Sequence, residues 1–256
     1  MKKDKFKNLI LDLFLLTILA ISLTLVSFLF VEPDMDRELF MKFISNKAIF
    51  KYNFLPILAL LYLLYFLVGR FWFSFLIGSS AIVLMGVTNV SKIFYREETF
   101  NMLDMTLIYE AMNMVDHDFA IQWPTWIYFA VGLILLVTLC YILARNFKVK
   151  GWMRWTGLAL SIAFAFFVFK VTTDNNIYAD TKVDGFNQWV DVENEKARGM
   201  VYSFMHSYNA ISISKPGGYD EDFAKTAWEK YENADIPDDK KVNICLLYTS
   251  PSPRDA

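Results

Sequence analysis

Long apolar runs separated by short polar stretches organise this chain, and their lengths predict helices that cross a bilayer. Leu9 to Val31 carries one formal charge, Asp12, near its start, and it is longer than the about 20 apolar residues that a membrane helix needs. Tyr52 to Thr88 is apolar apart from Arg70, which divides it into two arms, 52–69 and 71–88, and so predicts a tight helical hairpin. Trp126 to Ala144 and Trp155 to Thr173 complete a set of five predicted spans, and Lys170 lies close enough to the end of the last to snorkel toward the interface. The expected fold is therefore all-α, with a transmembrane domain over 1–173. Lys2, Lys3, Lys5 and Lys7 precede the first run as they would in a signal peptide, but the run exceeds an h-region of about 7 to 15 residues and is read as an uncleaved helix.

Cations set the expected orientation. Lys2, Lys3, Lys5 and Lys7, then Arg70, then Arg145, Lys148, Lys150 and Arg154 all fall in loops that one face of the membrane would share, and the positive-inside rule makes that face cytoplasmic. The loops on the other side have no such bias. An odd number of spans then places the N-terminus in the cytoplasm and everything after Thr173 outside, in a multi-pass protein of a bacterial plasma membrane. Trp123, Trp126, Trp152 and Trp155 lie where an amphipathic ring suits the interface. Composition agrees: 55% of residues are hydrophobic and mean hydropathy is +0.33, beyond the ordinary soluble range. With 25 Lys plus Arg against 27 Asp plus Glu, no global field points to nucleic acid as a partner.

The polar remainder, 174–244, reads as an extracytoplasmic linker with one helix. Tyr219-Asp220-Glu221-Asp222 opens that helix with carboxylates in the first turn, where the dipole favours them, and Ala224, Ala227, Trp228 and Tyr231 form a stripe on one side. Asp235 to Lys241 breaks it, and Val242-Asn243-Ile244 begins a predicted strand. Residues 245–256, from Cys245-Leu246-Leu247-Tyr248 to the end, resemble a frame translation of a transposase adapter from short-read sequencing libraries. They are read as non-native, so that native sequence is expected to end at Ile244.

Catalytic chemistry is sparse. His117 between Asp116 and Asp118 has metal-ligand residue types, but one imidazole flanked by adjacent carboxylates does not converge ligands on an ion, and the cluster reads as a solvated loop. His206 stands alone and reads as packing or linker. Cys140 and Cys245 give no disulfide framework. No catalytic residue and no metal ligand is assigned in this chain. Asp12, Arg70 and Lys170 all fall near the ends of spans, which disfavours a transport pathway.

Asn89-Val90-Ser91-Lys92-Ile93-Phe94-Tyr95-Arg96 after the third span, Lys215-Pro216-Gly217-Gly218-Tyr219 with its helix, and Lys241-Val242-Asn243-Ile244 together resemble the lipoteichoic acid synthase family of membrane phosphoglycerol transferases. Glu97-Glu98 departs from the more apolar form of the first motif. The resemblance implies five N-terminal spans followed by an α/β sulfatase-like domain outside the cell, absent from this chain. It also implies a parent enzyme that moves glycerol phosphate from phosphatidylglycerol to a cell-wall polymer through a phosphorylated threonine. A divalent metal, manganese, is expected in the missing domain, which would be this region's own partner together with membrane lipids. A phosphoethanolamine-type headgroup transferase and a non-enzymatic membrane scaffold are the alternatives.

Arg96 and Lys92 are the candidate lipid headgroup-binding residues, since cations at the membrane face hold a phosphate by charge-assisted hydrogen bonds; an interfacial anchor uses the same residue types. Behind them Met102, Met105, Tyr109, Met112 and Val115 recur at near-helical spacing and predict an amphipathic helix lying in the interface. Arg96→Ala is expected to lower turnover in the complete protein with membrane insertion unchanged; equal turnover in the variant removes the headgroup role.

Overall fold

The structure, a computed structural model, describes residues 2–31, 36–106, 148–187, 189–211 and 220–232, with side chains from Phe6 to Ala227. All secondary structure among them is helical: α1 (Lys2–Phe28), α2 (Arg37–Ser45), α3 (Lys47–Val68), α4 (Phe71–Arg96), α5 (Met102–Thr106), α6 (Trp152–Thr172), α7 (Asn175–Asp180), α8 (Asp191–Arg198), α9 (Met200–His206), α10 (Tyr208–Ile211) and α11 (Glu221–Glu232). Four of them, α1, α3, α4 and α6, are long and apolar enough to cross a membrane. They correspond to the predicted spans 9–31, 52–69, 71–88 and 155–173; the predicted span 126–144 lies outside the described residues.

Helix α4 runs eight residues past its predicted end, to Arg96. The apolar run stops at Thr88, but the buried stripe does not: Ile82, Gly86, Asn89 and Ile93 continue at helical spacing. α3 begins earlier than predicted because Asn46 caps it, its side chain accepting from Ala48 N at 3.1 Å and Ile49 N at 3.2 Å.

Helix α3 is the centre of the bundle and packs against α1, α4, α6 and α9. Leu16, Ala20, Ile57 and Leu61 are among the buried side chains. Phe28 at the end of α1 stacks on Phe43 of α2 with centroids 4.8 Å apart. α6 approaches α3 at Gly157, where a Cβ would lie 2.1 Å from the Phe66 ring. Small residues at such crossings let membrane helices come close.

The α3–α4 turn occurs where Arg70 predicts it. Gly69 takes a left-handed conformation, φ 77°, and returns its N–H to Tyr65 O at 2.6 Å. Val149 N donates to Gly69 O at 2.9 Å. Arg154 Nε donates to Phe66 O at 3.1 Å, and its Nη2 donates to Leu67 O. One guanidinium thus covers carbonyls that the last turn of α3 leaves without helical partners. The Arg70 turn and the Lys148–Arg154 segment therefore share one end of the bundle, which we call the cationic end.

Asp12 differs from its expected place near the entry of a span. It sits about two turns inside the apolar segment Phe6–Phe28, fully buried, and accepts a hydrogen bond from Tyr65 Oη at 2.7 Å. Residues 174–211 also differ from an open linker. They fold as α7 to α10 within the same compact unit as the bundle, Met1–Ser212. Helix α11 belongs to the second unit; Asp220 Oδ1 accepts from Phe223 N at 2.7 Å, and Glu221 pairs with Lys225 at 2.8 Å.

In a Cys140→Ser, Cys245→Ser background, Asp184→Cys is expected to react with an impermeant maleimide on intact cells, and Lys148→Cys only after lysis. Labelling of both, or the reverse order, overturns the orientation expected from the cations.

Candidate functional site

The end of the bundle opposite the cationic end is organised by two asparagines that membrane-length helices carry into a dry environment. Asn53, near the start of α3, is fully buried. Its Nδ2 donates to Ile49 O at 2.9 Å and to Arg198 O at 2.8 Å, and its Oδ1 accepts from Tyr202 N at 3.0 Å. Asn89, in the extension of α4, is equally buried. Its Nδ2 donates to Phe30 O at 2.9 Å and to Glu195 Oε1 at 2.6 Å, and its Oδ1 accepts from Phe100 N at 2.7 Å. The two amides together hold the end of α1, the 99–100 segment and the α8–α9 junction.

That junction is Gly199, whose φ of 90° and closeness to Asn53 exclude a side chain: a Cβ would stand 2.7 Å from Asn53 Nδ2. Helix α8, just before it, brings two ionisable residues inside. Glu195 is 1% exposed, and burial raises its carboxyl to about 8, with the Asn89 hydrogen bond opposing the shift. Arg198 is 2% exposed and turns toward other partners: Nε donates to Tyr178 O at 2.9 Å, Nη1 donates to Asn194 Oδ1, and the guanidinium lies over the Tyr178 ring at 4.2 Å. Glu195 is thus a neutral acid below about pH 8, and Arg198 is a cation with carbonyl and ring partners.

Beside this core lies a cleft of about 250 Å³. Thr99, Phe100 and Asn101 line one side; Tyr178, Asp191 and His206 line another. His206 stacks on Tyr178 with centroids 3.5 Å apart and an interplanar angle of 4°, and its Nε2 is 3.0 Å from Asn175 Oδ1. Burial, helped by the charge of Arg198, lowers its pKa to about 4, so the ring is uncharged near neutrality.

The two candidate headgroup residues, one turn apart on α4, differ in their surroundings. Lys92 Nζ turns into an acidic set, donating to Asp104 Oδ2 at 2.9 Å and to Thr99 O at 3.0 Å, with Glu98 at 3.3 Å. Its side chain is 13% exposed. Arg96 is exposed in the last turn of α4. Of the amphipathic helix predicted behind them, the described residues show one short helix, α5 (Met102–Thr106); it starts with a reciprocal cap in which Asn101 Oδ1 accepts from Asp104 N at 3.1 Å and Asp104 Oδ2 accepts from Asn101 N at 2.8 Å. Its predicted continuation through Tyr109 to Val115 lies outside the described residues, as do His117, Asp116 and Asp118.

No protein-family model, curated protein or solved structure matches the chain.

Glu195 and Arg198 give no signal in a single sequence, since charged residues in a polar stretch are ordinarily solvated. Asn53 does give one: an amide within an apolar run must find partners.

The raised acid makes a pH-dependent contribution whose sign is fixed. Between the ordinary value of 4.5 and about 8 the unfolded chain loses the Glu195 proton while the folded chain keeps it, so this stability is fully present below 4.5 and lost as pH rises through 8. The slope is at most about 1.4 kcal/mol per pH unit. Glu195→Gln keeps an acceptor for Asn89 and is expected to flatten thermal stability in detergent over that window; equal slopes for the two proteins contradict the assignment.

Proposed function

We propose that this chain is the membrane region of a phosphoglycerol transferase of the lipoteichoic acid synthase type. In this reading the enzyme moves glycerol phosphate from phosphatidylglycerol onto a cell-wall polymer and leaves diacylglycerol behind. The helices anchor it in a bacterial plasma membrane with the N-terminus inside, and a catalytic domain after Ile244 stands outside.

One observation carries the proposal. The motif that resembles the family begins at Asn89, and Asn89 is the residue that ties α4 to α8, to the end of α1 and to the 99–100 segment. The motif therefore coincides with the joint between the membrane-length helices and the layer that leads toward α11. A headgroup transferase needs such a joint, because a catalytic domain on a loose tether would meet its lipid substrate in many orientations, and orientation is a large part of the rate. Arg96, exposed at the end of α4, is the cation left to meet a headgroup phosphate once Lys92 faces Asp104.

The nucleophile and the metal ligands belong, in this reading, to residues after Ile244. Among the described residues no three His, Cys, Asp or Glu side chains converge to hold an ion. The manganese expected there would lower the pKa of the threonine hydroxyl and offset charge on the phosphoryl oxygens when bound. The role of this chain is to anchor and to orient.

The test begins by reading unfragmented DNA past the codon for Ile244, where a glutamate, a threonine and an Asp-His pair in a sulfatase-like domain are expected. The complete protein, with manganese in phosphatidylglycerol vesicles, should then release diacylglycerol. No release, or release from phosphatidylethanolamine instead, overturns the assignment.

A further inference from the structure

The cleft between the 99–101 segment and the α7–α10 layer has no part in the reading above, and we infer that it is a binding site for a neutral hydroxylated ligand, a polyol or a sugar. The inference does not rest on the transferase reading. It rests on size, on the groups left uncommitted, and on which charges are missing.

The volume, about 250 Å³, equals roughly eight water molecules' share of liquid, room for a glycerol or a single hexose ring. Three lining groups have no hydrogen-bond or ion-pair partner among the described residues: the carboxylate of Asp191 in the first turn of α8, Nδ2 of Asn101 and Oγ1 of Thr99. They offer an acceptor, a donor and a group that does both. A hydroxyl is also donor and acceptor at once, so a ligand with several hydroxyls suits this set.

The walls around these groups are already fixed. Tyr178 and His206 are stacked, Phe100 is stacked on Phe204 with centroids 5.5 Å apart, and Ser207 Oγ accepts from Met102 N at 2.8 Å. Rigid rings beside a few convergent polar atoms hold a small ligand without first having to be ordered.

Charge decides against the obvious rival, a phosphate. Among the described residues, no Lys or Arg lines the cleft. The nearby Arg198 has its guanidinium on Tyr178 O and Asn194 Oδ1, Lys92 is held by Asp104, and His206 is uncharged near neutrality. An anion would meet Asp191 with no cation among the described lining residues to balance it. The two sources of a hydroxylated group are a soluble polyol and the sugar headgroup of a neutral glycolipid.

Saturation-transfer NMR on the full chain in phosphatidylcholine nanodiscs tests this, with glycerol and glucose as soluble probes and with glucosyl-diacylglycerol added to the bilayer. Binding is expected to saturate and to weaken about tenfold or more in Asp191→Asn, the loss of one charge-assisted hydrogen bond. Thr99→Val should weaken it too, and both variants should keep the wild-type melting temperature. Saturation by free glucose identifies a soluble ligand; saturation by the glycolipid alone identifies a headgroup. Equal binding of inorganic phosphate or ethanolamine, no binding of any polyol or glycolipid, or affinities unchanged in both variants overturns the inference.

Discussion

Two side-chain amides buried in otherwise apolar helices fix the geometry of one whole end of this protein. A carboxamide without partners in a dry interior is costly, and in lipid it has no water to turn to. Asn53 and Asn89 avoid that cost by taking partners far away in the chain: Arg198 O and Tyr202 N for the first, Phe30 O, Glu195 and Phe100 N for the second. Each bond carries a positional demand. The α8–α9 junction must pass so close to Asn53 that only glycine fits at 199, and the chain beyond α4 must turn back far enough for Phe100 N to reach Asn89. The layer formed by α7 to α10 is held to the bundle by directional contacts, whereas apolar packing alone would let it slide.

The cationic end is held differently. There the constraint is a turn, Gly69, and the carbonyls that the end of α3 leaves without helical partners. Val149 N and the Arg154 guanidinium satisfy the loop from beside the start of α6, which brings two cationic segments side by side with no acid paired to either among the described residues. Such an arrangement suits a surface where water and anionic headgroups screen the charge. One end is thus tied by neutral amides indoors and the other by a charged cap at the rim.

How much of this was legible follows from the same physics. The apolar runs fixed the expected positions of α1, α3, α4 and α6 well, because span length is set by the bilayer and Arg70 could only be a turn. Their ends were less legible. Asn89 looks like the end of an apolar run when read by hydropathy, but it lies on the buried stripe of Ile82, Gly86 and Ile93, and it is its partners that keep the helix going. The segment 174–211 reads as a linker because its own sequence has too little apolar surface for a core. It borrows one: Met200, Val201 and Tyr202 are buried among bundle residues. A segment that completes its core with residues more than a hundred positions away leaves no local pattern. Lys92 shows the same limit, since its reaction to Asp104 depends on a chain reversal that spacing alone does not announce.

The last turns of α4 bring these themes together. Asn89 and Lys92 are three residues apart and so share one face of the helix. Asn89 Oδ1 takes Phe100 N, and Lys92 Nζ takes the adjacent carbonyl, Thr99 O, together with Asp104. One short stretch of backbone is therefore gripped on its donor and its acceptor by two neighbouring side chains, one neutral and buried, the other charged and nearer solvent. Asn89 simultaneously holds Glu195 in an environment where the acid stays protonated. Any change that pulled Asn89 away would leave a buried carboxyl and a part-buried peptide N–H without their Asn89 partner at the same time, so the 99–101 segment and α8 must hold or give way together.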